Sequence, residues 1–239
     1  MILYISGSTQ ENNRGVGSYG TEEQRMQLLA DLVAKYIKLG GGAITVYRNN
    51  GAMTLNQTVA DSNAKNADYH LALHTNAGGG RGTECYYWWN TKPEGKRWAE
   101  AIYNAVAPIT ASKDRGCMPD NVLYDDGLAE TRDTNAWACL IEIVFHDNID
   151  DVNDYLAHVE VIALELARAI YKHFGMEFKY SITQPQSQPQ TGKAPKRYDE
   201  ILREVTPWAS IYLADLQTMQ KPGHNWNGLI EKIYYTIPK

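Results

Sequence analysis

Two histidines, His70 and His74, stand four positions apart in the apolar run YHLALHT, which leads into the glycine-rich segment NAGGGRG. Imidazole serves both as a metal ligand and as a proton-transfer group near neutral pH. His74 falls at the carboxyl end of a predicted strand, where α/β sheets gather their chemistry, and the glycines that follow let a substrate approach the backbone. His70 shares that face one strand repeat deeper and reads more simply as a hydrogen-bonded core histidine. A second apolar run, CLIEIVF, contains a single acid, Glu142. An ionised carboxylate there is costly to bury without a partner or a metal, and its neighbours Ile141 and Ile143 alternate to the other face. Glu142 is therefore a general-base candidate, with a salt-bridged structural acid as the plainer alternative. His146, in FHDN just past this strand, is close enough to reach the same cleft. Glu22 and Glu23 open a helix, where capping and the helix dipole already explain acids. The segment GGGRG lacks the Lys-Ser/Thr of a phosphate loop, which argues against a nucleotide site.

The elements that must position these residues follow from periodicity. MILYIS, AITVYR, YHLALHT, GTECYYWW and ACLIEIVF read as strands. TEEQRMQLLADLVAKYIKLGGG reads as a helix with Thr21 as N-cap and Leu28, Leu29, Leu32, Val33, Tyr36 and Ile37 on one apolar face. LNQTVADSNAKNA, PEGKRWAEAIYNAVAPI and VNDYLAHVEVIALELARAIYKHFG supply three more helices, the second with proline at its start. Strands alternating with helices predict an α/β fold: a mostly parallel, twisted sheet flanked by helices.

The expected domains are 1–178 for this α/β unit, 179–196 for a Pro/Gln-rich linker (SITQPQSQPQTGKAPK), and 197–239 for a small helical domain. The last is too small to be very stable alone. Its Trp208, Tyr212, Trp226, Tyr234 and Tyr235 suit sugar stacking or helix packing, as in wall targeting or a homodimer. The net charge of −5 argues against nucleic acid, which needs a basic field. No apolar run is long enough to span a bilayer, and the N-terminus has no signal-peptide pattern. The expectation is a chain made in the cytoplasm that needs release to act outside. Cys85, Cys117 and Cys139 form no CxxC pair, so neither a disulfide framework nor an all-cysteine zinc site is expected.

Taken together, the motifs over residues 1–175 resemble the zinc-dependent N-acetylmuramoyl-L-alanine amidases of the type 3 catalytic domain. LHTNA is similar to that family's strand-end motif, which implies His74 as a zinc ligand. TRDTNAWACLIE is similar to its segment before and through a hydrophobic strand, which implies Glu142 as the catalytic glutamate. The helix start implies Glu22 as a second ligand, less specifically because Glu23 adjoins it. The resemblance implies Zn2+ as cofactor, bacterial cell-wall peptidoglycan as partner, and hydrolysis of the amide between N-acetylmuramic acid and L-alanine. Asn76, Arg132 and the 78–82 loop are expected near the stem peptide from their proximity to these motifs.

One departure stands out. The family's first ligand is a histidine in the loop after the first strand, and here SGSTQENNRGVGSYG contains none. Asn12 occupies the position expected for it, and an amide is a feeble zinc ligand beside imidazole. Three readings stay open: an inactive form with weak or absent zinc, a weakened site completed by Asn12 or water, or replacement by another histidine such as His146. Two other functions remain alongside: a non-catalytic peptidoglycan-binding module, and a zinc carboxypeptidase on a related fold.

Overall fold

A computed structural model describes residues 1–110 and 114–180; the expected linker beyond 180 and the helical segment 197–239 lie outside the described residues. Six strands form one sheet: β1 (Ile2–Gly7), β2 (Thr45–Arg48), β3 (Tyr69–Asn76), β4 (Thr83–Tyr87), β5 (Asp114–Pro119) and β6 (Trp137–Phe145). Their order is β2-β1-β3-β6-β4-β5. All neighbours are parallel except β4 and β6. Among the described residues five α-helices accompany them: α1 (Glu22–Gly40), α2 (Leu55–Ala64), α3 (Pro93–Val106), α4 (Ala129–Arg132) and α5 (Ile149–His173).

Local chemistry sets the helix ends. Thr21 and Gln24 form a reciprocal capping box at α1, and Thr54 and Gln57 repeat it at α2, each satisfying donors the first turn leaves unpaired. Asn148 caps α5 through Asp150 and Asp151 N–H. Gly41, at φ 76°, closes α1 in the left-handed region that glycine adopts without penalty.

Alternation divides the sheet. Leu71, Leu73, Cys85, Cys139, Ile141 and Ile143 enter the large core beneath α1, α3 and α5. The other face carries His70, His74, Glu84 and Glu142, with a small apolar cluster of Ala72, Tyr86 and Leu140. There α2 and α4 cover only part of the sheet: Ser62 of α2 bonds His70, and Tyr4 of β1 bonds Asp61 of α2. The tail folds back after α5. Tyr180 packs 5.8 Å from Tyr36, and Lys179 N–H bonds Gly40, so residues 179 and 180, expected in the linker, belong with this unit. Among the described residues no helix is long and apolar enough to cross a membrane.

Two elements escape the sequence patterns. β5, DRGCMP, has neither alternation nor β-propensity and is an edge strand held by register with β4. α4 is four residues long, too short for a helical period to show.

Trp98 is fully buried, packs on Tyr69 and Phe174, and donates its indole N–H to the carbonyl of His70. Trp98→Ala is expected to cost about 3–5 kcal/mol and to lower Tm by on the order of 10 °C, read by thermal unfolding; a shift under about 2 °C would mean that α3 does not brace the β3 strand as described.

Candidate active site

Register brings the chemistry together. His74 of β3 lies directly opposite Glu142 of β6, and Glu142 lies directly opposite Glu84 of β4. The three side chains therefore sit in a row on the less covered face. An irregularity in β3 between His74 and Asn76 ends the regular pairing just where the strand opens into the cleft. That cleft holds about 340 Å3 and is lined by Gln10, Leu55, His74, Asn76, Glu130 and Glu142, with Leu123 and Tyr124 among the apolar residues of its wall.

Glu22 reaches this row from the first turn of α1. It is 1% exposed, and its Oε1 stands 2.9 Å from His74 Nδ1. Glu23 is only partly buried. The structure thus separates two adjacent acids that the sequence could not. On the far side of the imidazole, His74 Nε2 stands 3.1 Å from Glu130 Oε2, and the other oxygen of Glu130 stands 3.2 Å from His70 Nε2. His70 is fully buried and bonds Ser62 Oγ through Nδ1.

These pairings decide the charges. Burial opposes charging His74, but Glu130 and Glu22 outweigh it and hold its pKa well above the ordinary imidazole value. Burial also opposes ionisation of Glu22 and Glu130, yet the histidines keep both carboxyls below the usual range. Glu142 differs. Burial pushes its pKa up to about 7; His74 pulls down, while Glu22 and Glu84 add to the rise. Its Oε2 is buried with no hydrogen-bond partner. Glu84, by contrast, is satisfied by Asn76 Nδ2 and by Arg115 Nε at 2.8 Å.

The other expected residues are distributed unevenly. Asn76 lines the cleft. Arg132 is exposed, binds Asp133 and the carbonyl of Asp126, and does not line it. The amides of Gly78 and Gly79 are taken by Asp147, and that of Gly82 by Asp151, so these loop donors hold the loop itself. His146 bonds Thr75 and stacks on Tyr19; it is not brought to the Glu22–His74 pair. Asn12 is exposed. From this loop Ser8 bonds Glu22, Gln10 places Nε2 3.3 Å from His74 Nδ1, and Asn13 Nδ2 lies 2.9 Å from Glu22 Oε2 and 2.7 Å from Gln10 Oε1. Gln10, Asn13 and Glu130 went unrecognised in the sequence: two amides in a polar loop and an acid in a four-residue helix carry no periodic signal.

A family model described as N-acetylmuramoyl-L-alanine amidase matches residues 5–172. The chain belongs to that family. The amidase CwlM of Bacillus licheniformis is 23% identical over 180 residues, 73% of this chain and 69% of that protein. The catalytic domain of CwlV from Bacillus (Paenibacillus) polymyxa var. colistinus aligns at TM-score 0.63 and 20% identity, covering 74% of this chain and 99% of that one. The catalytic domain of the CD27L endolysin, which targets Clostridia difficile, aligns at TM-score 0.56 and 22% identity, covering 74% and 98%. These likenesses show a shared fold, and the row of His74, Glu142 and Glu84 is built on that fold's sheet.

The raised Glu142 pKa has a thermodynamic consequence. A carboxyl whose folded pKa lies above its unfolded value favours folding most when protonated, and that advantage disappears as pH rises from about 4.5 through about 7. With a chelator present, Glu142→Gln should therefore be more stable than the parent at pH 8 by about 1–2 kcal/mol, allowing for its partial exposure. The two should match near pH 4. Equal Tm values at both pH values would show that Glu142 is not held out of water as described.

Proposed function

We propose that this chain hydrolyses the amide between N-acetylmuramic acid and L-alanine in bacterial peptidoglycan, with Glu142 as the general base and Zn2+ held by Glu22 and His74. The observation that carries the reading is the buried, unpartnered Oε2 of Glu142 beside the Glu22–His74 pair. A satisfied structural acid has no free oxygen; a base awaiting a water or substrate does.

The donor set fits the metal in part. Glu22 Oε1 and His74 Nδ1 stand 2.9 Å apart, both types are zinc donors, and a further carboxylate backs the imidazole. Among the described residues no group of three His, Cys, Asp or Glu forms a metal cage, so a third protein donor would come from the amides of the 10–13 segment. Bound there, zinc supplies Lewis acidity toward water and toward the scissile carbonyl. Glu142 takes the proton of the attacking water and returns it to the departing L-alanine amine; a pKa of about 7 suits a group that must both accept and donate near neutrality. Asn76, held by Glu84 through Nδ2 and by Ala77 N–H at Oδ1, lines the cleft.

Two tests follow. Glu142→Ala should lower wall hydrolysis by about 100-fold or more while leaving zinc per chain unchanged, and new N-terminal L-alanine should be the product the parent releases. Release of a free C-terminal amino acid instead would assign a carboxypeptidase, and wall binding without any release would assign a binding module. Asn12→His and Gln10→His should each be compared with the parent by elemental analysis and wall clearing. Gain of about one zinc and of clearing in either variant marks that position as the weak corner of the site. Full zinc and activity in the parent would mean the amides suffice, and no zinc in any form would remove the metal from this reading.

A further inference from the structure

The cleft carries at its edge an apolar turn that the hydrolytic scheme above does not use. Val122, Leu123 and Tyr124 are consecutive, and they are 57%, 46% and 63% exposed. Leu123 and Tyr124 line the same cleft as His74 and Glu142. Leu55, at the start of α2 and 44% exposed, lines it as well. Large apolar side chains left in water one by one are ordinary; three in succession beside a cleft mark a contact surface.

This turn is exposed without being loose. Asp120–Val122 form a short 3-10 turn, and the carbonyl of Asp120 accepts Leu123 N–H at 3.0 Å and Tyr124 N–H at 3.4 Å. Asp120 itself is fully buried, and its carboxylate accepts the backbone N–H of Trp89, the backbone N–H of Leu128 and the hydroxyl of Thr131. The carbonyl of Tyr124 accepts Gly127 N–H at 2.8 Å. Tyr124 is therefore presented by a fixed backbone, which lowers the ordering cost of whatever binds there.

Charge narrows the partner. Among the described residues the cleft lining holds no lysine or arginine and includes Glu130 and Glu142, and exposed Asp125 and Asp126 follow Tyr124. A stem peptide, which carries free carboxylates, finds no cation on this wall. An N-acetylated sugar is neutral, has a C–H face that lies flat on an aromatic ring, and has an acetyl methyl that suits a leucine. Size points the same way. A cleft of about 340 Å3 is at the small end of the range for ligand pockets, about 300–1,000 Å3. It holds the reacting unit, and the rest of a polymer must run over the rim.

We propose that the 122–124 turn is a glycan subsite, in which Tyr124 stacks on the N-acetylhexosamine next to the reacting muramic acid and Leu123 meets its acetyl group. The inference rests on the peptidoglycan reading given above for the polymer that the turn meets. Tyr124→Ala removes the ring at an exposed position and leaves the Asp120 anchor in place; Tyr124→Phe keeps the ring.

The test uses the full chain of the parent, Tyr124→Ala and Tyr124→Phe. The probe is chitotetraose, a neutral N-acetylglucosamine chain with no peptide amide to cut. Its binding is followed by NMR at the backbone amides of residues 121–128, so that sugar bound elsewhere on the chain is not counted. The expected result is affinity about 10-fold weaker in Tyr124→Ala, parent-like affinity in Tyr124→Phe, and Tm within about 2 °C in both. With long glycan strands of wall as substrate, Tyr124→Ala should raise KM about 10-fold and change kcat little, the pattern of lost uniform binding. Equal chitotetraose affinity in the parent and Tyr124→Ala overturns the proposal, as does a parent that does not bind it at these amides. Free stem peptide that binds at these amides, and does so more weakly in Tyr124→Ala while chitotetraose does not, assigns the wall to the peptide and overturns it too. Ring-dependent sugar binding without release of N-terminal L-alanine from walls by any form leaves the subsite standing and overturns the amidase reading instead.

Discussion

Four carboxylates meet on one face of a single sheet, Glu22, Glu84 and Glu130 buried and Glu142 with one buried oxygen, and the arrangement of the rest follows from how each is compensated. An unpaired ionised carboxylate in such a place costs several kcal/mol. Glu84 is compensated by Arg115, which also lies over the Phe145 ring at 4.9 Å. Glu22 and Glu130 share the imidazole of His74, and Glu130 takes a second imidazole from His70. Glu142 is left over. It stands opposite both His74 and Glu84 in the register, close enough to feel the negative charge of Glu22 and Glu84, and its buried oxygen has no donor. Its proton is held to near neutral pH for that reason. A face so rich in acids, with one acid uncompensated, is a place where a bound cation would invert the local electrostatics.

Such an arrangement works only if the surroundings do not relax. The loop after β3 is pinned by side chains rather than left to open: Asp147 takes two of its amides, and Asp151, buried at the start of α5, takes Gly82 N–H together with Phe145 N–H. Gly80 packs so closely on the Phe145 ring that an added Cβ would stand 2.4 Å from it. The opposite wall of the cleft is tied in the same way. Asp120 is fully buried and accepts from Trp89 N–H, Leu128 N–H and Thr131 Oγ, which fixes the turn carrying Leu123 and Tyr124. Preorganisation of this kind is what lets a few charged groups act on a substrate without first paying to reorient.

The sequence carried the strands and long helices because period-2 and period-3.6 patterns are local, and the site residues that lay on those elements were legible with them. His74 at a strand end, Glu142 alternating against Ile141 and Ile143, and His70 one repeat below His74 could all be placed by counting. Glu22 could be found but not distinguished from Glu23, because choosing between neighbours needs the helix's rotation against the sheet. Glu130 and Gln10 could not be found. Their positions depend on a four-residue helix and on an irregular loop, neither of which leaves a period in the chain. Arg132 is placed differently: proximity in sequence to a motif says nothing about direction, and its guanidinium binds the adjacent Asp133.

The loop after β1 is where sequence and geometry bear on each other most sharply. The chain spends an asparagine where a histidine was expected, yet the geometry puts the amides of Gln10 and Asn13, not Asn12, against the Glu22–His74 pair. An amide offers a donor and an acceptor: Asn13 donates through Nδ2 to both Glu22 Oε2 and Gln10 Oε1, and Gln10 accepts through Oε1 while its Nε2 stands beside His74 Nδ1. The same versatility makes it a poor anchor for a cation, since only its neutral oxygen can ligate. In the metal reading proposed above, affinity would rest on Glu22 and His74 more heavily than with an imidazole in that loop.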